Sequence, residues 1–188
     1  MEIYAARPVT LTAVSQVAPD SQAVPERSSP FDDLFRAEYS RVVAIANRIL
    51  AEPGDAEDVA QEVFLDFHRR QDPLAVFAPA WLHAAAAHAA LNVIRGRRRR
   101  MRREQRYAAV GTHAPDPLEQ ITVDETRREV RAALARIKRR HATVLALRYA
   151  GLSYAEVAEA HGVGVGHVGT LLRRAEAALR KEIGNAPV

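Results

Sequence analysis

One stretch, Gly151 to Lys181, limits the fold of this chain more than any other. Ser153 stands where a side-chain oxygen can cap a helix, and Glu156 follows three residues later, completing a capping box. Leu152, Val157 and Ala160 are placed to face inward on that first helix. Gly162 falls where it must stop, because glycine takes the left-handed conformation of a helix end without steric cost. Beyond the turn, Val165, Val168, Leu172, Ala175 and Leu179 recur at steps of three and four, which predicts a second helix with one buried stripe. Two helices joined by a tight glycine turn make a helix-turn-helix. The outward face of the second helix carries His167, Thr170, Arg173 and Arg174, a polar and cationic set suited to a major groove and its phosphates. A plain helical hairpin with a solvated basic face is the alternative reading.

Charge along the chain is uneven. Lys and Arg number 27 against 23 Asp and Glu, a net of only +4. Arg95, Arg97, Arg98, Arg99, Arg100, Arg102, Arg103 and Arg106 nevertheless form one dense cluster, broken only by Glu104 among the acids. The span from Asp55 to Asp66 is acidic. Such a division points to two different partners. Phosphates are the natural target of the arginines, with strongly salt-dependent binding; a solvated cationic helix end is the alternative. With no Cys, disulfides and thiolate metal sites are excluded. No apolar run reaches the length of a membrane span, and Arg7, Pro8 and Thr10 interrupt any signal-peptide core. A cytoplasmic protein is expected.

The spacing predicts helices almost throughout. Residues 1–28, with Pro8, Pro19 and Pro25, read as a disordered tail. Ser29 as N-cap and Pro30 at the first helical position open a helix that runs to Leu50. Asp55 is expected to cap the next, with Val59, Val63 and Phe67 inward. Asp58, Glu62 and Asp66 lie on a separate line at steps of four, where like charges repel; that line is either a solvated face or a surface kept for a basic partner. Residues 68–80 are expected to be a loop and Trp81 to open a third helix, with Trp81, Ala85, His88 and Asn92 on one face. Gly111, Pro115 and Pro117 mark a linker over residues 107–123. Val130, Ala133, Leu134 and Ile137 predict one helix after it, and Val144, Leu145 and Leu147 another. The expected fold is all-α: two small helical domains, 29–106 and 124–184, joined by a flexible linker.

Three segments then resemble a known family, the bacterial sigma-70 factors of the extracytoplasmic-function group. Phe31 to Tyr39 resembles the opening of sigma region 2. Asp55-Ala-Glu-Asp-Val-Ala-Gln-Glu-Val-Phe64 is close to that region's signature, and Trp81 with the helix to Arg100 is similar to its promoter-melting part. Arg140 to Ala158 and the helix from Val165 resemble region 4. The resemblance implies that Asp55, Asp58, Gln61 and Glu62 dock on the polymerase β′ clamp, with the β flap a second contact. It implies that Trp81, His88, Asn92, Arg95, Arg97 and Arg98, with the loop before them, meet the −10 element. His167, Thr170, Arg173 and Arg174 would read the −35 element. Partners implied are core RNA polymerase and promoter DNA. Many members are restrained by an anti-sigma protein, which makes one a candidate partner here. No cofactor, metal or catalytic residue is implied.

The chain departs from the family pattern at several places. Ala87-His88 stands for an Arg-Asn pair, Asn92 for an Asp, and Lys138-Arg139 for Pro-Pro. In the recognition helix, Gly164 replaces a Ser cap, and Gly169 and Leu171 replace basic residues, so weaker −35 binding is expected. A free-standing helix-turn-helix regulator is the competing function; it leaves the acidic helix and the Trp81 helix without a role. An enzyme fits poorly. His83 and His88 are five apart, not the four that aligns two ligands on a helix face. Asp55, Asp58 and Glu62 could hold magnesium only if further oxygens converge on them.

Overall fold

The computed structural model describes residues 28–108 and 123–184. The expected tail, residues 1–28, and the linker, 107–123, lie almost wholly outside them. The described residues form seven α-helices and no strand.

Ser29 accepts a hydrogen bond from the Asp32 backbone N–H while Asp32 accepts one from Ser29, a full capping box for α1 (Pro30–Leu50). The helix closes on Ala51, whose backbone is left-handed (φ 54°) although it is not glycine; its N–H donates to the Asn47 carbonyl at 2.8 Å. Helix α2 (Pro53–Arg70) starts two residues before the expected Asp55 cap. Pro53 occupies a first-turn position where its missing N–H costs nothing, so Asp55 lies inside the first turn. Helix α3 (Ala78–Ala108) likewise opens earlier than Trp81, because Pro79 fits its first turn, and it runs through the arginine cluster. Val42, Ile45 and Ile49 of α1, Val63 and Phe67 of α2, and Leu82 and Leu91 of α3 share a core.

The second group consists of α4 (Val123–Arg136), α5 (Arg139–Tyr149), α6 (Tyr154–His161) and α7 (Val165–Gly184). Ser153 and Glu156 make the expected capping box. Gly162 is left-handed, and hydrogen bonds from Gly162 and Val163 back to Glu159 and Ala158 close α6. Two positions on α7 differ from the expected stripe. Val165 is 52% exposed, whereas Leu171 is 7% exposed and belongs to the core. Helix α7 packs against α4, α5 and α6 together, so its buried face is wider than a two-helix contact requires.

The two groups also pack on one another. Helix α3 touches α4, α5 and α6, and α1 touches α5. Arg131 donates to the Leu50 carbonyl at 3.2 Å, and Arg41 meets Glu156 at 2.6 Å.

Candidate functional site

Helices α2 and α3 leave an open groove between them. Asp58, Gln61, Glu62 and Asp66 line one wall; Trp81, Ala85, His88 and Asn92 line the other. The 3.6-residue helical period accounts for both walls. The inward line of α2 (Val59, Val63, Phe67) leaves Asp58, Gln61 and Glu62 exposed, and the inward line of α3 (Leu82, Ala86, Ala90) leaves Trp81, His88 and Asn92 toward the groove. Trp81 is half-buried and sets its ring edge-on to Phe67, with centroids 5.4 Å apart. Arg69 and Arg70 close one end, and Arg70 pairs with Asp66 at 2.9 Å.

Several of these residues are engaged by distant parts of the chain, and two that the resemblance assigns to different partners touch each other. Asp55 is half-buried and paired with Arg97. The exposed Asn92 accepts from Arg139 of α5 at 2.7 Å. Arg95 donates to the carbonyl of Ile137, just beyond α4, at 3.1 Å. Arg98 is half-buried. Burial, then the positive charges of Arg139 and Arg95, push the His88 imidazole below its usual range. His161 shifts the same way, through burial, Arg140 and His88. His88 of the first group and His161 of the second therefore favour the neutral form where the groups meet.

Between α2 and α3 the chain exposes Leu74, Val76 and Phe77 at 74, 92 and 48%. Residue types alone did not single these out; the available signal was an apolar triplet held between Pro73 and Pro79. His83 does not face the groove pair. It is buried and bonded to Glu38 of α1 at 2.8 Å.

On the second group, His167, Thr170, Arg173 and Arg174 are all exposed on α7, and Arg173 reaches Thr170 at 3.4 Å. Leu171 corrects an expectation: it points into the core, so it is not a vacated phosphate contact. Gly169 is half-buried, and a side chain there would meet only Tyr154, at an ordinary 3.7 Å.

Comparison with known proteins gives a consistent set of matches. Residues 34–100 match the family described as Sigma-70 region 2, and residues 127–179 match Sigma-70, region 4. The ECF RNA polymerase sigma factor SigK of Mycolicibacterium vanbaalenii is 31% identical over 168 residues, covering 86% of this chain and 84% of that protein. SigE of Mycolicibacterium smegmatis, an ECF RNA polymerase sigma factor, is 33% identical over 177 residues, covering 91% of this chain and 66% of that protein. Among solved structures, the sigma factor RpoE of Bartonella quintana, in complex with the anti-sigma factor NepR, aligns with 84% of this chain at a TM-score of 0.47 and 19% identity.

Proposed function

This chain belongs to the sigma-70 family, in its extracytoplasmic-function group, and from that premise we propose how its residues divide the work of initiation. It binds core RNA polymerase, brings it to a promoter and helps open the duplex. It does so in the cytoplasm, and none of its own residues is needed to make or break a covalent bond. The observation that supports the allocation best is the groove between α2 and α3, whose two walls differ in chemistry.

The carboxylate wall suits a basic protein surface. Asp58, Gln61 and Glu62 are exposed on one side of α2, and Asp55 lies one turn before them; these four dock on the polymerase β′ clamp. The facing wall suits a melted strand. Trp81 offers an indole ring, His88 a neutral imidazole, and Asn92 an amide that can both donate and accept. Arg95, Arg97 and Arg98 add charge for the backbone, so stacking and electrostatics together hold unpaired bases of the −10 element. Leu74, Val76 and Phe77 supply apolar surface beside them. His167, Thr170, Arg173 and Arg174 face the −35 element.

The test is Asp58→Arg. Asp58 is exposed, so the fold and its circular dichroism should not change. Binding of core polymerase should be lost in a pull-down; a variant that binds core like the wild type would overturn the docking assignment.

A further inference from the structure

The match to sigma region 2 ends at residue 100, but α3 continues to Ala108. Arg99, Arg102, Arg103 and Arg106 stand at steps of three and four on this end of the helix. They lie on one face and together line one shallow concavity. All four are exposed, and none makes a hydrogen bond or ion pair with the described residues. Glu104 is the only acid in the stretch. Like charges at this spacing destabilise a helix, so the strip works against the fold unless an anion neutralises it.

We propose that Arg99, Arg102, Arg103 and Arg106 form a separate grip on the phosphate backbone of duplex promoter DNA, in the spacer upstream of the −10 element. This deepens the sigma-factor reading and rests on it. Two observations favour a duplex over a single strand. Holding unpaired bases needs aromatic platforms, and no aromatic ring, imidazole included, stands between His88 and Tyr107. The strip also lies between the −10 wall on α3 and the −35 face on α7 in chain order, so the spacer is the DNA within its reach. The dimensions agree. From Arg99 to Arg106 a helix rises about 10 Å. Phosphates of one strand recur about every 3.4 Å along the duplex axis, so about three fall within that reach. The grip carries no sequence information; it adds affinity and sets the salt dependence.

The test uses the full chain assembled with core polymerase, on a duplex promoter recovered by that holoenzyme from a random pool. The variant is Arg99→Ala, Arg102→Ala, Arg103→Ala and Arg106→Ala together; alanine preserves the helix. Losing about three phosphate contacts should flatten the plot of log affinity against log salt by about three units. Between about 50 and 200 mM salt the variant would then lose about 40-fold less affinity than the wild type. Lysine at all four positions should keep the wild-type slope, because point charges release the same counterions. On a fragment cut just upstream of the −10 element, wild type and alanine variant should bind alike.

An unchanged slope on the full promoter would overturn the proposal. So would an equal loss on the shortened fragment, which would place the strip on the −10 element itself. A variant that binds promoter more tightly at every salt would overturn it as well. A variant that no longer joins core would move them to polymerase docking. If the wild type joins no core at all, the sigma reading falls and this proposal with it.

Discussion

The family pattern places a basic residue at both position 169 and position 171, and the structure predicts opposite results for restoring the two. Leu171 is 7% exposed in a core that includes Val168, Leu172, Ala175 and Val157. Cutting back a buried leucine costs about 2–5 kcal/mol, from lost transfer energy and the cavity left behind. An arginine there keeps part of the apolar contact along its stem but must thread its charge outward past α6 or α4, since isolated burial is far more costly. The net loss for Leu171→Arg is about 2–4 kcal/mol. For a chain of this size each kcal/mol shifts Tm by about 2–4 °C, so Tm should fall by about 5–15 °C. Gly169→Arg goes the other way. The position is inside a helix and its new Cβ meets only Tyr154 at 3.7 Å, so replacing glycine should gain about 1 kcal/mol of helix propensity. It also places a cation beside Thr170 and Arg173, where it should steepen the salt dependence of −35 binding by about one unit. Thermal melts followed by circular dichroism, with promoter binding measured at two salt concentrations, read both. A Leu171→Arg protein that melts with the wild type and binds promoter more tightly would refute the reasoning and put Leu171 on the DNA face.

Three further outcomes are expected. Arg173→Ala with Arg174→Ala removes two exposed cations, so transcription from promoters that need a −35 element should drop while core binding stays; unchanged transcription would mean α7 does not read DNA. His88, His141 and His161 all have pKa values pushed down, chiefly by burial, so the unfolded chain takes up protons before the folded one does. Stability is then fully present above the ordinary histidine pKa and is lost as pH falls through the lower folded values; urea midpoints should decline from about pH 7.5 to about 5.5, and His88→Gln with His161→Gln should flatten the decline. Ala51→Gly should raise stability by up to about 1 kcal/mol, seen as a higher urea midpoint, because Ala51 holds a left-handed φ of 54° that glycine adopts freely.

Much of the fold was legible because local chemistry fixes helix ends. Ser29 with Pro30, and Ser153 with Glu156 and Gly162, satisfy backbone groups within a few residues of themselves, so their roles follow from the sequence. Helices α2 and α3 start earlier than the spacing predicts for one reason: Pro53 and Pro79 fit the first turn of a helix. Leu171 falls outside the predicted stripe because a single periodic line serves one neighbouring helix, and α7 packs on three. Of the candidate site, the exposed faces of α2, α3 and α7 could be read from period alone. What could not be read is that Arg97 would engage Asp55, Arg139 would engage Asn92 and Arg95 would engage the Ile137 carbonyl. Those partners lie 42 and 47 residues apart, and nothing in local spacing joins them.

These contacts constrain how the protein can work. The Oδ1 of Asn92 accepts from Arg139, so that lone pair cannot accept from a base in the same geometry. Arg95 has one arm on the Ile137 carbonyl, and a phosphate must compete with it. Helices α4, α5 and α6 stand against α3, the helix proposed to meet the −10 element. A melted strand laid along α3 from Trp81 to Arg98 therefore meets α5 at Asn92 unless the second group moves off. The polar contacts that hold the two groups are mostly partly exposed, and single exposed pairs of that kind contribute about 0–1 kcal/mol each. The apolar contact between α3 and α5 must be given up as well. On the proposed allocation, reading the −10 element and keeping the two groups packed use the same atoms. Docking on polymerase can separate the groups only if it favours the open arrangement by more than those contacts favour the closed one. The carboxylates on α2 suit that role. Asp58, Gln61 and Glu62 lie on the opposite wall of the groove from Asn92, exposed in the packed form, so polymerase can bind them before the second group has moved.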